Sequence, residues 1–150
     1  MNRRQFIVAG ASSVALGIGT RALAAGSEGG GVAATAQQPW TQNALLVDAG
    51  ADCVKAGDIC LEHCLTQLRS GDKSMAKCSE TVAAMLPMCR ALEALAIQGS
   101  PHLKAHAALC AKVCRDCEAA CKVHAGHHEA CKRCMETCQR CATACEKYAA

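Results

Sequence analysis

A run of cysteines near the end of the chain constrains the fold more than any other stretch. Five cysteines occur within fifteen residues, at intervals of three, four, three and four: Cys131, Cys134, Cys138, Cys141 and Cys145. An α-helix returns to the same face at these intervals, so all five thiols are expected on one side of a helix. No Gly or Pro interrupts the run, and most intervening residues are good helix formers. The sequence therefore predicts a helix whose buried stripe consists of thiols.

Cysteine is abundant throughout the chain, at 14 of the 150 residues, whereas Phe, Tyr and Trp occur once each. A length of 150 residues suits one domain. With so few large apolar side chains, an ordinary hydrophobic core would be thin. We therefore expect the thiols to contribute to the interior of the fold.

Residues 1–24 have the features of an export signal. Arg3 and Arg4 precede an apolar stretch that begins at Phe6, and a small-residue cleavage site ends at Ala24. The paired arginines resemble a twin-arginine signal, whose route carries folded proteins, so we expect a bacterial protein exported to the periplasm or beyond. A membrane anchor is the alternative, although the apolar stretch is short and rich in Gly, Ala and Ser.

The remainder divides into a linker, residues 25–39, and a single predicted domain, residues 40–150. The linker contains little that could be buried and is expected to be disordered. The leader carries three of the 16 basic residues and none of the 13 acidic residues, so the chain without it is formally neutral. Neither nucleic acid nor anionic lipid is an expected partner, and no segment after the leader is hydrophobic enough to span a bilayer.

Apolar and cysteine residues recur at helical intervals in four segments separated by turn residues: 41–70, 72–98, 101–125 and 127–148. Thr41 is the expected N-cap of the first helix, and Gly50 predicts a break within it. Pro87 predicts a bend within the second helix. Short turns between long helices predict an all-α, antiparallel, up-and-down four-helix bundle.

Antiparallel helices bring cysteines from distant parts of the sequence to the same level. Near one end we expect Cys64, Cys78, Cys121 and Cys131. Near the other end we expect Cys53, Cys89 and Cys110, with Cys141 or Cys145. All fourteen thiols would then line one axis of the bundle as candidate metal ligands, the remaining ones being Cys60, Cys114, Cys117, Cys134 and Cys138.

Disulfide bonds are one use for so many cysteines in an exported protein. On a regular helix, cysteines three or four residues apart have Cβ atoms about 5 to 6 Å apart, whereas a disulfide needs about 3.5 to 4.5 Å. Bridges between helices remain open, so a disulfide-stapled interaction module is an alternative function.

Iron–sulfur clusters and structural zinc are a second use. Clusters take thiolates mainly from loops that wrap the cofactor, and structural zinc favours cysteine pairs on turns. Uninterrupted helices suit neither arrangement well. A cysteine-rich electron-transfer protein remains an alternative function.

Copper(I) is the third use and suits helical cysteines best, because it is a soft ion that prefers sulfur ligands. With metal–sulfur distances of about 2.3 Å, two sulfurs bridged linearly by one ion lie about 4.6 Å apart, within reach of residues one turn apart. Because buried thiolates need charge compensation, roughly one Cu(I) per cysteine gives a neutral core. Such a stoichiometry indicates storage rather than electron transfer.

Several cysteine motifs occur together along residues 53–145: Cys53-x6-Cys60-Leu61-Glu62-His63-Cys64, then Met75, Cys78 and Cys89, then Cys114, Cys117 and Cys121, and finally the five-cysteine run. As a constellation they resemble the exported copper storage proteins of methane-oxidising bacteria. The resemblance covers nearly all of the chain after the leader. It implies a four-helix bundle that holds many Cu(I) ions, forms a homotetramer and serves particulate methane monooxygenase.

The same resemblance implies an open end of the bundle at which His63 and Met75 are metal ligands. Gln67 and Ser70 occupy positions where further methionines are expected, and Cys110 is an additional thiol. Three histidines at the third turn could substitute for those methionines, although an exposed turn is the simpler interpretation: His124, His127 and His128.

Other methionine and histidine residues have simpler roles. Met85 and Met88 are assigned to core filling, which is common for thioethers. His102 and His106 are one turn apart and could form a metal pair with Cys110, but a polar helix end explains them as well. We find no Ser-His-Asp order, phosphate-binding loop or carboxylate pair inside the bundle, so we do not expect an enzyme.

Overall fold

Helices account for nearly all of the chain that the computed structural model describes, which is residues 38–150. The four long helices are those expected from the periodicity of the sequence. In order, the elements are α1 (Pro39–Gln42), α2 (Ala44–Arg69), a 3₁₀ turn (Lys73–Met75), α3 (Ala76–Gln98), α4 (Leu103–Lys122) and α5 (Glu129–Ala149).

The four long helices form an antiparallel bundle in which each packs against two neighbours. Helix α2 packs against α3 and α5, and α4 packs against the same two helices. Tight turns make this possible: Gly71 and Gly99 have φ angles of 97° and 62°, a left-handed conformation that favours glycine. The predicted all-α, up-and-down four-helix bundle is confirmed.

The first long helix differs from prediction at its start. Thr41 lies within the short helix α1, and the chain leaves helical geometry at Asn43, where φ is −109° and ψ is 15°. The Asn43 side-chain amide donates a hydrogen bond to the carbonyl of Ala96, which ties this break to the end of α3. The predicted break at Gly50 is wrong, because α2 continues through it. A Cβ at Gly50 would lie 3.2 Å from the Cys89 carbonyl, so glycine there permits close helix packing.

The other helix starts are shifted by two to four residues from those predicted. Asp72 accepts a hydrogen bond from the backbone of Ser74 and begins a 3₁₀ turn, which delays α3 until Ala76. Pro101 lies in the turn before α4 rather than in its first helical position. Helix α3 remains a single helix through Pro87, as expected.

The predicted leader, residues 1–24, and residues 25–37 of the predicted linker lie outside the described residues. Helix α1 begins at Pro39, next to the predicted start of the domain at residue 40. Within residues 38–150, no helix combines the length and hydropathy needed to cross a bilayer.

One end of the bundle interior is apolar. It lies where α2 and α4 begin and where α3 ends, and we call its residues the apolar end: Leu46, Leu92, Ala96, Leu103 and Ala107. These side chains are buried and belong to the same core cluster as the cysteines. The interior is therefore an apolar cap followed by a length of core that consists mainly of sulfur.

Candidate metal site

All fourteen cysteines are fully buried and carry free thiols. Each lies within one of the four long helices rather than in a turn. Their three- and four-residue intervals keep them on the inward faces, while charged residues occupy the outward faces. We call this set of fourteen cysteines the thiol column.

The thiol column consists of five overlapping groups, and every cysteine belongs to at least one of them. Within a group, all sulfur atoms lie within 4.8 Å of one another. The groups are Cys60, Cys64, Cys78 and Cys131; Cys60, Cys121 and Cys134; Cys117, Cys134 and Cys138; Cys53, Cys89, Cys114 and Cys141; and Cys110, Cys141 and Cys145.

Shared residues make these groups continuous. Cys60 and Cys134 connect the first three groups, and Cys141 connects the last two. Between these two parts, the Sγ atoms of Cys53 and Cys138 are 3.5 Å apart. A path of sulfur atoms therefore runs along the bundle with no step longer than the spacing within a group.

The predicted levels agree with this arrangement at both ends. Cys64, Cys78 and Cys131 share a group, and the Sγ atoms of Cys78 and Cys121 are 3.4 Å apart. Toward the opposite end, Cys53, Cys89 and Cys141 share a group with Cys114, whereas Cys110 groups with Cys141 and Cys145. Cys110 nevertheless contacts Cys89, with 3.9 Å between the sulfur atoms. The additional thiol thus lies within the column.

The sulfur atoms are too far apart to be bonded to one another. The distance of 3.4 Å between Cys78 and Cys121 is well above the length of an S–S bond, about 2.05 Å. A disulfide-stapled core is therefore not the state of the described residues. An iron–sulfur site is disfavoured by the placement of all fourteen cysteines on helices, because such clusters are usually wrapped by loops.

Hydrogen bonds between thiols shift their pKa values in opposite directions. Hydrogen bonds with neighbouring thiols, chiefly that of Cys114, lower the pKa of Cys53 to about 6. The hydrogen bond with Cys110 raises the pKa of Cys89, and burial adds to that increase. Because a metal binds the thiolate, a thiol that holds its proton must release it on binding. Metal binding in the column is therefore coupled to proton release.

Histidines gather where the column approaches the turns that join α2 to the 3₁₀ turn and α4 to α5. The His63 Nε2 and His128 Nδ1 atoms are 2.9 Å apart, and the rings of His124 and His128 lie 6.2 Å apart. We call these three residues the histidine end. They are half-buried, and His127 is exposed. Sequence analysis identified His63 and suggested the other two only as substitutes.

Met75 is fully buried and lies three residues before Cys78, near the histidine end. The structure thus brings Met75 to the level expected from the resemblance. His102 is exposed, and His106 lies 2.9 Å from the Met88 carbonyl through its Nε2 atom, so it bonds to the backbone of α3. The expected alternative of a metal pair with Cys110 receives no support from these positions.

Sequence analysis assigned Met85 to core filling and did not predict that its thioether contacts the thiol column. Its Sδ atom is 3.4 Å from the Sγ atoms of both Cys53 and Cys89. Met88, by contrast, is half-buried and packs against the core. The two methionines look alike in sequence, and only their phase along α3 separates them: Met85 falls on the stripe that contains Cys78, Val82 and Cys89.

A family model described as copper storage protein matches residues 40–150. A comparison with curated proteins gave no match.

Among solved structures, the chain is similar to apo copper storage protein 3 from Bacillus subtilis, with 29% identity and a TM-score of 0.63, covering 72% of this chain and 99% of that one. The Cu(I)-bound copper storage protein BsCsp3 gives 27% identity and a TM-score of 0.64, with coverage of 74% and 99%. The copper storage protein Ccsp from Streptomyces lividans, loaded with 10 copper equivalents, gives 27% identity and a TM-score of 0.67, with coverage of 80% and 92%.

Proposed function

Because the chain belongs to the copper storage protein family, we propose that its thiol column is a continuous store for Cu(I), filled to roughly one ion per cysteine. The observation that carries this proposal is the linkage of all fourteen buried thiols into one path. Multiple Cu(I) ions are the cargo of the protein. Its role is storage, with no catalytic step assigned.

The geometry suits two-coordinate Cu(I). Neighbouring sulfurs in the column are 3.4 to 4.0 Å apart, and a linear bridge through one ion needs about 4.6 Å. Rotation of a cysteine about its Cα–Cβ bond covers this difference without moving a helix. If each thiolate bridges two ions, each ion has two sulfur ligands and the filled core is neutral.

The histidine end is the proposed entrance, with His63 and Met75 as its ligands. It holds the polar groups at one end of the column, whereas the opposite end is filled by buried apolar side chains. Imidazole and thioether are neutral ligands, so they are expected to bind an incoming Cu(I) ion less strongly than negatively charged thiolates do. His124 and His128 contribute a second and third imidazole at this end.

An anaerobic titration of the reduced protein with Cu(I), against a competing chelator, tests storage directly. We expect saturation near the cysteine count of 14. Protein with alkylated thiols is the control and should bind almost none. Saturation at a few ions would overturn the proposal and favour a site for exchange or electron transfer.

We also propose export through a twin-arginine route, as the sequence of residues 1–24 suggests. Export of a folded chain would protect the thiols from oxidants outside the cytoplasm. Replacement of Arg3 and Arg4 by Lys should keep the protein in the cytoplasm when fractions of the cell are compared. Unchanged export of this variant would contradict the proposal.

The resemblance to the methane-oxidiser proteins supports two further proposals, a homotetramer and delivery of copper to enzymes such as particulate methane monooxygenase. Sedimentation analysis of the mature protein tests the first, and a monomer at micromolar concentration would overturn it. Transfer of copper from the loaded protein to the copper-depleted enzyme, measured as recovered activity, tests the second.

A further inference from the structure

A thioether lies inside the thiol column, away from the histidine end. The Met85 side chain is fully buried, and its Sδ atom accepts hydrogen bonds from the thiols of Cys53 and Cys89, each with a sulfur–sulfur distance of 3.4 Å. These two cysteines belong to one group whose sulfur atoms lie within 4.8 Å of one another. Three sulfur atoms from α2 and α3 thus surround one small volume.

The neighbouring helix leaves room for this thioether. A Cβ atom at Gly57 would lie 2.7 Å from the terminal methyl of Met85 and 2.9 Å from the Cδ2 atom of Leu86. A side chain at position 57 would therefore displace the terminal methyl of Met85, whereas glycine leaves it room. Gly57 is itself buried in the middle of α2, where glycine is a poor helix former compared with alanine.

We propose that Met85 Sδ is the third ligand of a Cu(I) ion held by the thiolates of Cys53 and Cys89. Cu(I) accepts thioether and thiolate sulfur and can take three ligands. Three sulfurs at about 2.3 Å from an ion in a trigonal site are about 4 Å apart. The observed distances need small adjustments to reach that geometry. On binding, Cys89 releases its thiol proton to solvent, as does Cys53 where it is protonated, and the ion keeps its oxidation state.

A neutral third ligand suits this position because it adds no charge to the core. This inference rests on the proposed storage function. With one Cu(I) per thiolate, bridging thiolates supply only two sulfurs per ion. A further thiolate would add a negative charge to a dry core, at a considerable cost in free energy. The thioether of Met85 adds a third sulfur without charge. The ion at Met85 is therefore bound more tightly than its two-coordinate neighbours.

X-ray absorption at the selenium edge tests the contact. The protein is labelled with selenomethionine and loaded with Cu(I) in a Met75→Leu background, which removes the methionine proposed for the entrance. We expect a copper neighbour at bonding distance from selenium, and its loss on the additional replacement Met85→Leu. Absence of that neighbour in the Met75→Leu protein, or its persistence without Met85, would overturn the proposal.

A second labelled variant covers the case in which loss of Met85 prevents folding. Replacement of Met75, Met88 and Met135 by Leu leaves Met85 as the single labelled residue of the predicted domain. A copper neighbour of its selenium supports the proposal, and its absence refutes it.

Chelator titration distinguishes failure of this proposal from failure of storage. Met85→Leu should keep the number of bound ions but lower the affinity for about one of them by roughly tenfold or more. Loss of an outer-shell partner alone typically lowers metal affinity 10- to 100-fold. Met88→Leu, which replaces a similar methionine on the same helix, should change nothing. If both variants bind the full number of ions with the same affinities, the proposed role of Met85 is refuted and storage is not. Saturation at only a few ions would refute storage itself.

Discussion

The Sγ atom of Cys53 on α2 lies 3.5 Å from the Sγ atom of Cys138 on α5, and this contact joins the two parts of the thiol column. Three thiol groups lie on the side of the histidine end, and two lie on the side of the apolar end. An ion that enters at the histidine end is expected to pass Cys138 on its way to the deeper groups.

Replacement of Cys138 by Ala should therefore slow filling of the deeper groups as well as reduce capacity. Cys145→Ala is the matched control, because it removes one thiol from the last group without interrupting the path. We expect both variants to lose about one ion of capacity, since the core holds roughly one ion per thiolate. Stopped-flow uptake should show an added slow phase for Cys138→Ala alone. The same kinetics in both variants would contradict a linear path.

Replacement of His63 by Ala should slow uptake while leaving capacity near its original value. His63 is a half-buried residue at the proposed entrance, and it lies 2.9 Å from His128. Because an incoming ion loses one of its proposed entrance ligands, uptake from a chelated Cu(I) donor should be markedly slower. His102→Ala, an exposed histidine before α4, serves as the control. Equal uptake by both variants would exclude an entrance at His63.

The affinity for Cu(I) should fall as the pH falls. Thiols with a raised pKa, such as Cys89, hold a proton at neutral pH that each bound ion must displace. Cys53, with a pKa lowered to about 6, becomes an additional proton competitor only below that pH. The dependence should therefore become steeper below about pH 6. Competition titrations between pH 5 and 8, corrected for protonation of the chelator, measure it, and a flat profile would contradict the prediction.

The apolar end should stabilise the fold independently of the metal. Leu92 is fully buried there, and Leu92→Ala should lower the free energy of unfolding of the metal-free protein by about 3 kcal/mol. Copper capacity should stay the same. Leu109→Ala, at a half-exposed leucine of α4, should change stability by less than about 0.5 kcal/mol. Urea denaturation compares the two, and similar losses would show that the apolar end has no special role.

The bundle and its thiol column could be predicted because both depend on helical periodicity. The intervals around Cys131 and the turns at Gly71 and Gly99 were sufficient to place helices and to bring distant cysteines to common levels. The start of α2 was misjudged because a hydrogen bond between Asn43 and Ala96, which are distant in sequence, fixes the break. No local propensity carries that information.

Side-chain placement at the site was less predictable. His63 and Met75 were proposed as ligands through family resemblance, whereas Met85 was assigned to packing. A thioether has the same hydrophobic character in either role, and its contact with Cys53 is made to a residue of another helix, distant in sequence. Sequence periodicity shows that a residue faces inward, but it does not show which atoms it meets there.

A column with one polar end and one apolar end has a consequence for the order of exchange. Ions proposed to arrive at the histidine end leave by the same end, because the opposite end is filled with buried leucine and alanine side chains. The last ions to arrive are then the first to depart. The deepest ions form a long-term reserve, and the outermost ions form a working pool that responds quickly to demand.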